Sequence, residues 1–318
     1  MHRRPAAAGA ALALLSAVTF ATSGTFARSL IEAGWSAEAA VIARVGIASL
    51  VLAIPALLSL RGRWDVLRRN TTAIALFGLL GVALAQACFF NAVRYLPVGV
   101  ALLLEYLGII LVVGWMWLRH GQRPRQLTVV GSVAALAGLA FVLDLAGNAD
   151  FHPVGVLWGL GAALGLAGYF VIAGRVDPRL PSVAMASGGM AVGAAVLLLI
   201  GLTGVLPLHA TFGEVTFAGQ RASWLLPIVG LSLVAAVVAY LAGIAGTRIL
   251  GPRLSSFVGL TEVLFAVLIA WLLLDELPTA WQLFGGALIV AGVALVRLDE
   301  LRTPPAPATP EPALAVNA

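Results

Sequence analysis

The sequence contains no lysine, a single cysteine and few charges of either sign: 10% of its 318 residues are charged, against about 25% in a soluble domain. So little charge cannot clothe a water-facing surface, which excludes an ordinary soluble protein. One cysteine, Cys88, excludes an intrachain disulfide, and its place inside an apolar run makes a poor thiolate metal site. The four histidines, His2, His120, His152 and His209, fall in tails or turns without metal-ligand spacing, so a polytopic metalloenzyme lacks its ligands. No glycine-rich phosphate loop is present, so the sequence offers no nucleotide-hydrolysing motif. Neither a cofactor nor a metal is expected.

What is there is apolar: 61% hydrophobic residues and a mean hydropathy of +1.03. This is the composition of an integral membrane protein, with the lipid bilayer as its principal partner. The sequence pI near 10.3 would point to nucleic acid in a soluble chain. Here the arginines sit in short loops between apolar runs, where topology accounts for them, and nucleic acid is not expected. Ten runs approach the roughly 20 residues that cross a bilayer. They cover residues 6–27, 36–60, 71–93, 98–118, 127–143, 153–173, 182–203, 224–245, 254–274 and 280–300. A cleaved signal peptide is the alternative for the first. The longest internal loop is Gly204 to Ser223, and the Pro- and Ala-rich tail 301–318 is expected to be disordered and cytoplasmic.

The last two runs repeat an earlier pair. Leu254 to Leu274 carries Glu262 as Val98 to Leu118 carries Glu105, and Gly285 and Gly292 correspond to Gly131 and Gly138. The joining turns differ in charge: Arg119, Arg123 and Arg125 in the first copy, Asp275 and Glu276 in the second. The chain thus divides into a first five-helix repeat, 1–146, and a second, 147–300. Placing both termini in the cytoplasm puts 15 of the 19 arginines inside, leaves Arg28, Arg94 and Arg221 outside and Arg44 within the membrane, as the positive-inside rule prefers. Five spans is an odd number, so the two copies insert upside down relative to each other. The expected fold is an all-α integral membrane protein of ten transmembrane helices in two inverted-topology repeats. Secondary transporters commonly use this plan, with the substrate site near the midplane.

Ionisable residues at membrane depth cost from about 2.5 kcal/mol upward and are retained where they face protein or water. Those available are Arg44, Glu105 and Glu262. Counting about 1.5 Å per residue from the helix ends puts Arg44 and Glu105 at one depth, where they are expected to pair, either as a structural clamp or as a pair that opens to a zwitterionic substrate. The position equivalent to Arg44 in the second repeat is Gly189, so Glu262 lacks an equivalent cation. It is therefore a candidate proton carrier, with satisfaction by Ser255, Thr261 or Tyr240 as the blander role. Gln86, Asn91, Tyr106, Tyr169 and Tyr240 complete the candidate lining, each with helix-to-helix hydrogen bonding as its alternative. Trp35, Trp64, Trp117, Trp224 and Trp281 fall near span ends and read as interface anchors. Gly155/Gly159, Gly161/Gly165 and Gly189/Gly193 are spaced for close helix approach.

The stretches Gly251-Pro252-Arg253-Leu254-Ser255-Ser256-Phe257-Val258-Gly259-Leu260-Thr261-Glu262 and Trp271-Leu272-Leu273-Leu274-Asp275-Glu276 resemble the second repeat of EamA-type drug/metabolite transporters. In the first half, the segment from Arg94-Tyr95-Leu96-Pro97 to Glu105-Tyr106-Leu107-Gly108, with Arg28-Ser29-Leu30 and Tyr169, is similar to the branch containing the inner-membrane threonine and homoserine exporter. The resemblance implies a non-enzymatic, multi-pass transporter of the cell membrane. Its expected activity is export of a small metabolite or amino-acid-like compound by alternating access, with protons as the candidate coupling ion, as a monomer or homodimer. A membrane enzyme and a channel are the competing classes.

Overall fold

The computed structural model describes residues 3–121, 123–142, 152–173, 176–177, 179–204, 206–250, 258–259 and 261–302. The tail beyond residue 302, the expected boundary loop around Gly147 to Asp150 and residues 251–257 of the family-like motif lie outside them.

The apolar runs form helices because the α-helix satisfies every backbone amide internally, which a lipid solvent demands. In chain order these are α1 (Arg3–Glu32), α2 (Ala37–Ser59), α3 (Trp64–Arg69) and α4 (Thr71–Leu76). The last continues through a π-helical segment, π1 (Phe77–Leu84), into α5 (Ala85–Val93). There follow α6 (Val98–Tyr106), α7 (Gly108–His120), α8 (Gln126–Val142), α9 (Pro153–Ala173) and α10 (Ser182–Leu202). Next, α11 (Leu225–Val229) runs through a second π-helical segment, π2 (Gly230–Val238), into α12 (Ala239–Leu250), and α13 (Thr261–Leu274) and α14 (Ala280–Arg302) close the fold. Among the described residues six stretches are long and apolar enough to cross a membrane: Ala7–Glu32, Ala37–Ser59, Thr71–Val93, Val98–Arg119, Ser182–Leu202 and Leu225–Gly246. Four shorter apolar helices, Gln126–Leu139, Pro153–Tyr169, Thr261–Leu274 and Ala280–Val296, overlap the remaining expected runs. Leu50, Leu157 and Leu272 point outward, each about two-thirds or more exposed, as lipid-facing side chains do, while Phe90, Leu104 and Leu231 are fully enclosed.

The main helix contacts correspond when the halves are exchanged. α1 lies against α12, π2 and α13, and its counterpart α9 lies against α5, π1, α6 and α7. α2 packs on α10, and α8 packs on α14. The two π segments fall in corresponding helices, so they too are repeated.

Three features depart from the sequence reading. The run 98–118 is interrupted by a single turn residue at Leu107, and the adjacent Gly108 lets α7 approach the backbone of α9: a Cβ at Gly108 would lie 2.5 Å from Ala163 O. The basic loop after α2 contains the short helix α3. The loop 204–223 contains an antiparallel hairpin, β1 (Glu214–Phe217) and β2 (Gln220–Ser223), turning through Ala218 and Gly219 at φ 51° and 71°. Two positive φ values make the two-residue turn that matches strand twist. Ala in place of Asn or Asp at its first position hides that signal. This loop is tied down by Ser36, whose N–H donates to His209 O at 2.9 Å, and by Trp35, whose Nε1 donates to Thr211 O at 2.7 Å. Trp35 is therefore a buried packing residue rather than an interface anchor, whereas Trp64, Trp117 and Trp281 are about half exposed.

The glycine spacings mark close helix contacts. Gly189 sits against Phe77, Gly193 against Val82, Gly165 against Ala85 and Gly161 against Cys88. Between α8 and α14 the glycines meet each other: a Cβ on Gly131 would strike Gly292 O, and one on Gly138 would strike Gly285 O. Gly131→Ala and Gly292→Ala are each expected to destabilise the protein by about 1 to 3 kcal/mol, since both colliding atoms belong to backbone. Gly46→Ala, where nothing lies within 4 Å, should be neutral or stabilising by up to about 1 kcal/mol. Thermal unfolding in detergent of the three variants checks the contrast.

Candidate functional site

The helices enclose a cavity of about 510 Å³. α1 contributes Phe20, Ser23 and Gly24, α2 contributes Arg44, and the π1/α5 helix contributes Gly81, Gln86 and Phe89. The end of α6 supplies Glu105 and Tyr106, α9 supplies Tyr169, α12 supplies Tyr240 and α13 supplies Glu262. Seven of the eight residues singled out from the sequence therefore share one chamber, drawn from both halves of the chain. The helix break at Leu107 sets the last turn of α6, with Glu105 and Tyr106, against this space.

Asn91 lies elsewhere. It is buried, and its Nδ2 donates to Glu38 Oε1 and to Ala87 O, each at 2.9 Å. Its partner Glu38 is itself 2% exposed, so this is a buried structural bond between α2 and α5. The sequence places Glu38 at a span entrance and gives no sign of its burial.

The expected Arg44–Glu105 pair is not an ion pair in the structure. Arg44 Nη1 donates to Gln86 Oε1, and Nη2 donates to Ala235 O at 2.9 Å. The guanidinium is held by a neutral amide and a carbonyl of π2, so the side chain is turned to partners that a count along the helix does not give. The wide π turn presents Ala235 O toward α2, a partner that no side-chain inventory contains. Arg44 still lies within electrostatic reach of Glu105, Glu262 and Tyr240, and its ring contact is with Phe90 at 5.7 Å. Its Nε is buried with no hydrogen-bond partner among the described residues, as is Ser23 Oγ on the opposite wall.

Glu262 is engaged by Tyr106, whose hydroxyl donates to Oε2 at 3.1 Å and lies 3.3 Å from Gly259 O. Thr261 turns its hydroxyl to Val258 O instead. Tyr240 packs edge-on against Phe20, ring centroids 5.0 Å apart. Phe77 and Tyr169, at 5.2 Å, continue the aromatic wall. The chamber thus combines two carboxyls, one guanidinium, an amide and three phenols with flat apolar faces, which suits a small polar solute bearing charge of both signs. Among the described residues no group of three His, Cys, Asp or Glu is placed to hold a metal ion.

Ser23 and Phe20 were not among the residues singled out from the sequence. Ser16, Thr19 and Ser23 recur at three- and four-residue spacing on one face of α1 and are all buried. That stripe was the available signal.

A bundle of apolar helices around a partly open chamber that carries charged and aromatic side chains is the architecture of a multi-pass membrane transporter. The chain matches the EamA-like transporter family twice, at residues 7–144 and 153–298, and belongs to it. It is 27% identical over 287 residues to an uncharacterized transporter of Archaeoglobus fulgidus, covering 90% of this chain and 95% of that one. It is 26% identical over 268 residues to the uncharacterized transporter YdfC of Bacillus subtilis, covering 83% of each. One solved crystal structure shares the fold, with a TM-score of 0.61 at 21% identity, covering 93% of this chain and 99% of that one.

Proposed function

We propose that this transporter exports a small metabolite or amino-acid-like compound across the cell membrane by alternating access, with Glu262 carrying a proton. The single observation behind this reading is the chamber itself, built from both halves and lined by Arg44, Glu105 and Glu262. An amine-bearing solute finds Glu105 and Glu262, and a carboxylate finds Arg44. A carboxyl at membrane depth is costly as an anion, so Glu262 can exchange a proton for a substrate amine. Tyr106, Glu105, Arg44 and Tyr240 are the polar groups around it. Resemblance to the threonine and homoserine exporter branch supports an amino-acid-like substrate.

The same reading holds that ten spans form inverted repeats, 1–146 and 147–300, with both termini cytoplasmic. A reporter fused after Arg123 should then read cytoplasmic and one near Gly213 external; finding both on one side would remove the inverted repeat. A resistance screen of overexpressing cells against toxic amino acids and amine-bearing analogues identifies the substrate. At least one compound should be tolerated with the wild type and not with Glu262→Gln. No such compound across the panel would overturn the proposed substrate class.

A further inference from the structure

At the chamber's end near Val98, three segments far apart in sequence are joined through two charged side chains. Arg28, near the C-terminal end of α1, pairs through Nε with Glu32 Oε1 at 2.8 Å, and its Nη1 donates to Val93 O at 2.6 Å and lies 3.3 Å from Leu96 O. It thus closes off the carbonyls that end α5. The same Nη1 lies 3.5 Å from Glu276 Oε1, just after α13 in the second half of the chain. The other oxygen, Glu276 Oε2, accepts from the N–H of Val98 at 3.0 Å, an acid on the first amide of α6. Glu276 is brought there by Asp275, whose φ of 57° turns the chain back as Asp275 N–H bonds Trp271 O. The corresponding turn of the first half uses Gly121, at φ 65°, with its N–H on Trp117 O. The second copy therefore holds an acid where glycine would be relaxed.

What lies on either side gives the cluster its role. Val98 lines the chamber, and its Cγ1 occupies the place a Cβ of Gly24 would need. On the far side, Arg28 and Glu276 line a second recess of about 320 Å³ with Arg94 and Asp275. The cluster thus touches both, through Val98 on the chamber and through Arg28 and Glu276 on the recess.

We propose that Arg28, Glu276 and the Val98 amide form a gate latch, which must part for a solute to pass between the chamber and the recess. This rests on the transport reading above. The latch joins the halves through part-exposed side chains that line the recess, so it can be exchanged for hydration as the halves rock. The buried glycine contacts of α8 and α14 have no such alternative. Arg94 and Asp275 then flank the route beyond it.

The test uses a Cys88→Ala background with Leu102→Cys on the chamber wall, reconstituted in vesicles and treated with a membrane-impermeant maleimide from the side bearing residue 276. Arg28→Gln and Glu276→Gln should each speed labelling by up to about fivefold, the effect of losing one part-exposed ion pair. Glutamine at 276 still accepts from the Val98 amide, so a merely capping role predicts no change there. In Arg28→Cys/Glu276→Cys, a short bifunctional thiol crosslinker should halt both labelling and transport, and reductive cleavage of the linker should restore them. Unchanged labelling in both glutamine variants, or normal transport by the crosslinked protein, overturns the latch. Faster labelling in a protein that moves no compound supports the latch and removes the transport reading.

Discussion

Glu262→Gln is expected to yield a folded protein whose gradient-driven transport falls to background. Glutamine has the shape of a protonated glutamate, and its amide oxygen still accepts from the Tyr106 hydroxyl that now sits 3.1 Å from Oε2. Folding should therefore be preserved, with a thermal midpoint near that of the wild type. What glutamine lacks is the exchangeable proton. If Glu262 carries it, uptake driven by a pH gradient stops, while exchange of substrate for substrate persists. Vesicle uptake measured across a series of pH values decides the matter, because wild-type pH dependence surviving in this variant would take Glu262 out of the mechanism.

Arg44→Gln should be the most damaging single change to stability, at about 2 to 5 kcal/mol. It strands the part-buried amide oxygen of Gln86 and the buried Ala235 carbonyl, both of which accept from the guanidinium. It also withdraws the one cation within electrostatic reach of both acids among the described chamber residues. A double-mutant cycle apportions the loss. Arg44→Gln with Gln86→Leu should show a coupling of about 1 to 3 kcal/mol, larger than that of Arg44→Gln with Glu105→Gln. The reverse ranking, read from unfolding in detergent, would restore the direct Arg44–Glu105 pair that helix depth alone predicts.

That reversal shows where the sequence could be read and where it could not. Glu105 and Glu262, and the glycines 131, 138, 285 and 292, repeat at matching places, and duplication made the internal symmetry visible without coordinates. Polar residues in apolar runs are expensive, so Arg44, Gln86 and the tyrosines stood out, and they share a chamber. Depth follows from counting along a helix. Azimuth does not, because it depends on how each helix is wound, and the segments π1 and π2 rewind two of them without a proline to announce it. The turn that gives Arg44 its Ala235 partner is a backbone event. The hairpin at Ala218-Gly219 was hidden likewise, and nothing in the sequence announces the burial of Glu38, whose partner Asn91 comes from α5 across the bundle.

The central claim is that the chain moves a solute through the chamber. Purified protein in proteoliposomes, preloaded with a compound from the resistance screen, is the direct measurement. External labelled compound should accumulate inside by exchange, saturably, chemically unchanged and with loss of the effect in Arg44→Gln protein that remains folded. No accumulation above protein-free vesicles, or recovery of the label as a different compound, would contradict the account.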